Sequence, residues 1–350
     1  MIIYSKSAGN NPAAIGKIET PIKMIIEHES DLIAKRGGVC DWLFNIEKSN
    51  HFGETIVTQS EFDIFQAARE GEAAATDCIA ETSSKFIEHI QFMKEFIITA
   101  EMMEDANYGV APEAKRRAES FTRAYYKTIN KICEAAITNA TRSSMVFAGT
   151  SVDLKTADGK PLFSNSHSYG TEGQTQSNYY YGHMYSGGGT YDPSCFGDIL
   201  SILCHLFREM KDENGDPLGY TADTLIIPSN RFLLEATVKK LCGTIDSIGS
   251  QNNEINIHYN NWNVIILPSW QTDDDAVILM SSEANRNLSG NMFFNRVPLT
   301  ITNWVDHHTG NYIWNGRCRF GVGFGSYKHA LMIVNSEEPV QGASNFDTLF

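Results

Sequence analysis

No stretch of about 20 consecutive apolar residues occurs in the 350-residue chain, so no helical membrane span is expected. The opening MIIYSKSAGNNPAAIGK lacks the basic-then-apolar layout of a secretory leader. Basic residues are scarce: 28 Lys and Arg stand against 42 Asp and Glu, a net charge of -14. A protein that grips nucleic acid with its whole surface is more often basic, and an acidic surface repels DNA and keeps the free chain soluble. Paired cysteines are also missing. Cys40, Cys78, Cys133, Cys195, Cys204, Cys242 and Cys318 are scattered, odd in number and never form C-x-x-C. They read as buried or idle thiols in a reducing compartment.

Catalytic signatures are equally thin. There is no G-x-S-x-G, H-E-x-x-H, P-loop or helix-opening G-x-G-x-x-G. Gly187-Gly188-Gly189 has no following Lys-Ser/Thr, and Gly321, Gly323 and Gly325 fall inside strand-like sequence, where glycine lets backbones approach or bend. His307 and His308 beside Asp306 are metal-ligand types, yet Thr309-Gly310 after them reads as a hairpin turn. Asp273-Asp274-Asp275 reads as a solvated turn unless other oxygens converge on it. Tyr179-Tyr180-Tyr181 could stack on bases; without nearby Lys or Arg it reads as a loop packed into an interface. A Cys–His nucleophile stays open in principle, with no spacing that points to one. No cofactor is expected.

What the chain does have is one long helix. From Pro112 to about Ala140 no internal Pro or Gly interrupts PEAKRRAESFTRAYYKTINKICEAAITNA, and Pro112 suits a first helical turn. Ala114, Ala118, Phe121, Tyr125, Ile129, Ile132 and Ala136 recur at three or four residues and make one apolar stripe. The predicted rod is about 40 Å long. Its other face carries Lys115, Arg116, Arg117, Arg123, Lys127 and Lys131 against Glu113, Glu119 and Glu134. That face is either solvated or a binding surface.

Around this rod, residues 1 to about 25 read as an extended arm, and 25–50 as partly helical, broken at Gly37-Gly38 and followed by an apolar knot at Trp42, Leu43, Phe44 and Ile46. ETIVTQSEFDIF (54–65) alternates at period two, and FIEHIQFMKEFIIT (86–99) places Phe86, Ile90, Phe92, Phe96 and Ile98 on one parity. Together they predict a protruding hairpin with a long polar tip, resting on another subunit or folded back on its own domain. Thr99 is a candidate cap for a short helix. DGKPLF contains a turn, and residues 164–193, rich in Gly, Ser, Asn and Tyr, read as a mobile loop. Asp192-Pro193 opens a helix with Phe196, Ile199, Leu200, Leu203, Phe207 and Met210 inward. A strand at 224–227, a helix capped by Ser229 and closed by Gly243, and strands at 263–268 and 276–280 form an α/β block. VPLTITNWV, NYIWNGRCRFGVGFG and HALMIV are strands, and NSEEPVQGASNFDTLF an irregular tail.

This order of parts resembles the major capsid protein of tailed bacteriophages, the lambdoid capsid fold shared by encapsulins and the herpesvirus capsid floor. KEFIITAEMMEDA looks like the segment leaving the hairpin, ICEAAITNATRSS like the end of the spine helix (with Asn139-Ala140 where the family more often has Asn-Gly), and DGKPLFSNSH like the segment after it. GYTADTLIIPSNRFLLEATVKKL resembles the axial strand–helix unit, and the run from Phe293 to Val334 the return to the peripheral domain. The resemblance implies an α+β fold with an N-terminal arm at 1–50, an extended β-hairpin loop at 51–98, a peripheral domain with the spine helix at 99–145 plus 290–334, an axial α/β domain at 146–289 and a C-terminal tail at 335–350.

It also implies a non-enzymatic subunit that self-assembles into hexamers and pentamers of an icosahedral shell around double-stranded DNA. The expected location is the virion capsid, assembled in the host cytoplasm. Expected partners are a scaffolding protein (with no room for a scaffolding segment before the arm, separate scaffolding or prior processing is implied), a portal, a decoration protein and non-specifically held DNA. Candidate inter-subunit residues are Arg69, Glu70, Glu72, Lys85 and Tyr180. Candidate genome-facing residues are Arg117, Arg123 and Lys127. Lys85 and Lys94 are candidates for the lysine that some members crosslink to a neighbour. The alternatives are an encapsulin-type nanocompartment and, from another class, a hydrolase with a Cys–His pair in the Tyr/Gly loop.

Overall fold

The computed structural model describes residues 3–4, 12–59, 67, 69, 81–104, 112–169, 173–185, 191–245 and 255–349. The chain divides into two compact units. The first comprises Met1–Glu54, Ile87–Cys133 and Phe293–Val322, and the second Thr55–Phe86, Glu134–Met292 and Gly323–Phe350.

The first unit is built on the predicted spine helix, which runs Pro112–Thr138 and passes into the second unit's residues at Glu134. Ala114, Ala118 and Phe121 of its stripe are buried with Ile98, Leu299, Ile301 and Trp314. Those partners lie on a sheet ordered Ile3–Tyr4, Asn291–Val305, Tyr312–Phe324, Ile90–Ile98, with Asn45–Lys48 joining Asn291–Val305 from outside that path. The sheet's inner face is aromatic: Phe96 stacks on Trp314 and lies against Phe121 of the helix, and Phe92 stacks on Phe320.

Two corrections belong here. The arm expected to be extended is a helix from Pro12 to Arg36, and its Ile22 and Ile26 are fully buried in this same core. Gly37, at φ 69°, ends it in the left-handed conformation that glycine adopts without a steric penalty. The second correction concerns the hairpin. Gly53–Gln59 pairs with Glu81–Glu88, but Ile90–Ile98 pairs instead with Tyr312–Phe324, antiparallel and in register from Tyr312 opposite Ile98 to Phe320 opposite Ile90. His89 breaks the ribbon, and the buried parity changes there. Lys85, Ile87 and His89 are buried before it, whereas Ile98 is buried and Met93 and Ile97 are exposed after it. Phe86 therefore faces solvent and does not share a face with Phe92 and Phe96. Residues 60–66, 68 and 70–80, including most of the expected tip, lie outside the described residues.

The second unit is centred on a six-stranded mixed sheet ordered Asn263–Leu267, Thr224–Pro228, Ala276–Met280, Ala330–Asn335, Tyr179–Gly182, Ser344–Asn345. All five residues of Thr224–Pro228 and of Ala276–Met280 are buried, as a central position requires. Helix Pro193–Arg208 begins at Asp192, whose carboxylate accepts from the Ser194 N–H, and buries Phe196, Leu200, Leu203 and Phe207 as its spacing predicts. Helix Phe232–Gly243 ends at the expected glycine but is not capped by Ser229, whose hydroxyl donates to the Pro268 carbonyl.

Three further expectations are corrected in this unit. Ala330–Asn335, assigned to the peripheral domain, pairs with Ala276–Met280 and Tyr179–Gly182 in this sheet. The tail contributes the edge strand Ser344–Asn345 and buries Phe346 in the core. Of the expected mobile loop, His167–Tyr169 and Gln174–Gln176 form a hairpin and Tyr179–Gly182 is an interior strand; 170–172 and 186–190 lie outside the described residues. Two acidic residues read as exposed are also inside: Glu134 accepts from the Ser269 hydroxyl, and Asp275 faces Arg231 at 3.5 Å.

Two predictions follow from this packing. A Cβ on Gly316 would sit 2.2 Å from Cζ of Phe121, so the missing side chain is what lets the spine helix lie this close to the sheet. Gly316→Ala is expected to destabilise the protein by about 1–3 kcal/mol in urea titration, the usual cost of overpacking.

Burial pushes the imidazole of His258 down, with Trp262 donating to its Nδ1 and the ring's Nε2 bonded to the Gly197 carbonyl; burial pushes fully buried His329 down to about 4. Both folded values lie below the unfolded one near 6.5. Between them the unfolded chain binds more protons, so stability is lost as pH falls from about 6.5 toward 4, by up to about 3 kcal/mol for His329. Melting temperature measured across that range is expected to fall with acid, with a smaller slope in His258→Gln.

Candidate assembly surfaces

The described residues contain no group of three or more His, Cys, Asp or Glu placed to hold a metal ion, and no helix long and apolar enough to cross a membrane. Their charged clusters are internally paired. A cleft of about 440 Å³ in the second unit is lined by Asp158, Glu213, Tyr327 and Lys328, among others. Lys328 is buried and donates to Glu213 at 2.6 Å. His167, fully buried, stacks on the Tyr327 ring, with Nδ1 2.7 Å from Asp158 and Nε2 3.1 Å from the Leu162 carbonyl. Burial works to raise the Asp158 carboxyl, and its bond and charge interaction with His167, together with bonds from the Thr156 hydroxyl and the Lys160 N–H, jointly outweigh it and hold it below the ordinary range. Each charge already has its partner, so the cleft is braced from within. Asp306 and Thr309 close the predicted turn after the long strand: the Asp306 carboxylate accepts from the His308 N–H and the Thr309 hydroxyl.

The spine's basic face is exposed at Arg116, Arg117, Arg123, Lys127 and Lys131. Two of its candidates are tied to their own unit. Arg117 donates to the Ile97 carbonyl, and Arg123 bonds Glu29 at 2.9 Å with Glu119 at 3.8 Å. Lys127 is exposed, with no ion pair among the described residues.

Of the candidate inter-subunit residues, Arg69 is exposed, and Glu70 and Glu72 lie outside the described residues. Two others are corrected. Tyr180 is a core residue of the second unit, its hydroxyl donating to the Ser177 carbonyl. Lys85 is buried and ion-paired to Asp153 at 2.5 Å, so its ammonium fixes the root of the hairpin within the chain itself. Lys94 is exposed on an edge strand.

The surfaces that reading from sequence missed are apolar. In the first unit Met24, Leu32, Trp42, Ile46, Phe52 and Met93 stand at least half exposed. Trp42 and Ile46 thus leave the expected knot, in which only Leu43 and Phe44 are buried. In the second unit Phe232, Ile245, Ile255 and Ile257 are exposed, with Leu233 less so. Single exposed hydrophobes need no explanation, but grouped ones mark contact sites. The signal was present as the alternation Ile255-Asn256-Ile257-His258, which reads as a strand with isoleucine inward. The structure turns it the other way.

The chain combines two long helices, two larger sheets and a set of exposed apolar side chains. Comparison identifies the class. The phage capsid protein family matches residues 90–333, and the chain belongs to that family. No curated protein matches the chain. Among solved structures, a phage-related protein from Bordetella bronchiseptica RB50 shares the fold at 11% identity, with 88% of this chain and 95% of that one covered and a TM-score of 0.50. The capsid of Myoviridae phage XM1 aligns at 13% identity over 85% and 92% (TM-score 0.48), and a virus-like particle from Pyrococcus furiosus at 8% over 90% and 98% (TM-score 0.46).

The Lys85 assignment can be tested by amine-reactive labelling of the native protein at pH 8 followed by peptide mass spectrometry. Lys94 is expected to label at least tenfold faster than Lys85. In Asp153→Ala, the lysine is left without its partner; stability is expected to drop by about 1–2 kcal/mol, the exposure of Asp153 tempering the cost of an unpaired buried charge. Equal labelling of the two lysines would show that the pair does not hold in solution.

Proposed function

We propose that this chain is the major subunit of a tailed-phage head, tiling as hexamers and pentamers into an icosahedral shell that encloses double-stranded DNA. The observation that carries the reading is the family match across residues 90–333, which spans the spine helix and most strands of the two larger sheets. The shell is assembled in the host cytoplasm with a scaffolding protein and a portal, and a decoration protein joins the finished wall. The acidic chain, at -14, contains DNA without adhering to it, while Lys127 with Arg117 and Arg123 gives the spine a local basic face. Three of the cysteines are poorly suited to a nucleophilic role. Burial pushes Cys204 and Cys242 up to about 11 and Cys318 up to about 12, opposite to the activation a thiolate nucleophile needs.

Electron microscopy of the purified protein tests the reading. Closed shells are expected, and particles recovered from infected cells are expected to hold DNA. Uniform monomers would refute it, and shells loaded with enzyme would make it a nanocompartment. For the spine, neutralising Arg117, Arg123 and Lys127 together is expected to lower genome retention under salt or heat challenge. Unchanged retention would make that face a solvated one.

A further inference from the structure

Residues 255–259 read Ile-Asn-Ile-His-Tyr, and their burial alternates against chemistry: the isoleucines face out and the polar residues in. Ile255 is 83% exposed and Ile257 66%, whereas Asn256 and His258 are buried. The cause is local. The Asn256 side-chain amide donates to the carbonyls of Leu241 and Thr244, satisfying the C-terminal end of helix Phe232–Gly243. His258 is held by the Gly197 carbonyl and the Trp262 indole. The backbone turns here, the Tyr259 N–H donating to the Asn256 carbonyl, and with both polar side chains committed inward Ile255 and Ile257 are left at the surface. The Asn256 N–H donates to the Ile245 carbonyl, which brings a third isoleucine, 64% exposed, to the same patch. At the other end of the same helix, Phe232 is 71% exposed with Leu233 beside it.

We infer that these two patches are the halves of one head-to-tail contact between copies of this chain, Phe232 and Leu233 of one copy seating on Ile245, Ile255 and Ile257 of the next. The inference rests on the shell-forming role proposed above and names where its ring contacts lie. Two observations select a second copy as occupant. The two patches are different and stand at opposite ends of a helix roughly 18 Å long. Unlike patches on one chain pair heterologously, and heterologous contacts whose rotation closes form rings. Each patch is also small, on the order of a few hundred Å² and well below what a lasting two-body interface needs. Such a contact is weak in a free pair and holds once a closed ring repeats it.

The experiment uses the full-length chain and two kinds of variant. Ile255→Asp/Ile257→Asp and, separately, Phe232→Asp are expected to melt within about 2 °C of the wild type as isolated subunits and to lower shell yield at least tenfold by electron microscopy. Phe232→Cys/Ile257→Cys is expected, after oxidation, to give a non-reducing ladder that ends at five or six chains, with neither single cysteine variant doing so. Wild-type shell yield from the aspartate variants would overturn the inference, and so would absence of the ladder. A large loss of melting temperature in the isolated aspartate variants would also overturn it, by assigning the patch to the chain's own fold. Failure of the wild type to form shells would count against the proposed function instead.

Discussion

The first unit depends on how closely one helix can approach one sheet. Gly316 leaves room for the Phe121 ring, and around that contact Trp314, Phe96, Leu299 and Ile98 close a core with the alanines of the spine. Small residues on the helix and aromatic ones on the sheet are complementary for this reason: Ala114 and Ala118 bring the axis near, and the rings fill what remains. The N-terminal helix uses the same core through Ile22 and Ile26, so a segment that lacks an apolar core of its own becomes ordered by borrowing one.

The second unit solves a different problem. Its sheet is mixed and buried at the centre, and its strands come from four distant parts of the chain. Several polar groups enter its interior with partners: Glu213 with Lys328, Asp158 with His167, Asn178 with the carbonyls of Leu162 and Ala330. Such satisfied pairs are poor candidates for chemistry and good ones for holding loops in one place. The unit also turns apolar side chains outward at Phe232, Ile245, Ile255 and Ile257.

Most of the scaffold was legible from pattern. The spine helix, the Asp192-capped helix and the apolar strands carry strong local periodicity, and in the two helices burial follows it at most positions, with Tyr125, Ile129 and Ile199 only partly buried. The candidate surface residues were far less legible. Lys85 and Tyr180 look like surface chemistry in a list of residue types, yet one is buried against Asp153 and the other packed in a core whose other members lie far off in sequence. The exposed isoleucines are legible only in reverse, because a helix end competes for Asn256 and wins.

The amino-acid order by itself determined the most strongly periodic helices and strands, through neighbours within a few residues, and that the chain is acidic, through its composition. Tertiary structure alone decided strand partners and the inside of each strand. Ile90–Ile98 could have paired across a hairpin, and the segment around Ile22 could have stayed extended. Distant cores offered each more burial than its local partner did, and the hydrophobic effect counts area removed from water without regard to separation along the chain.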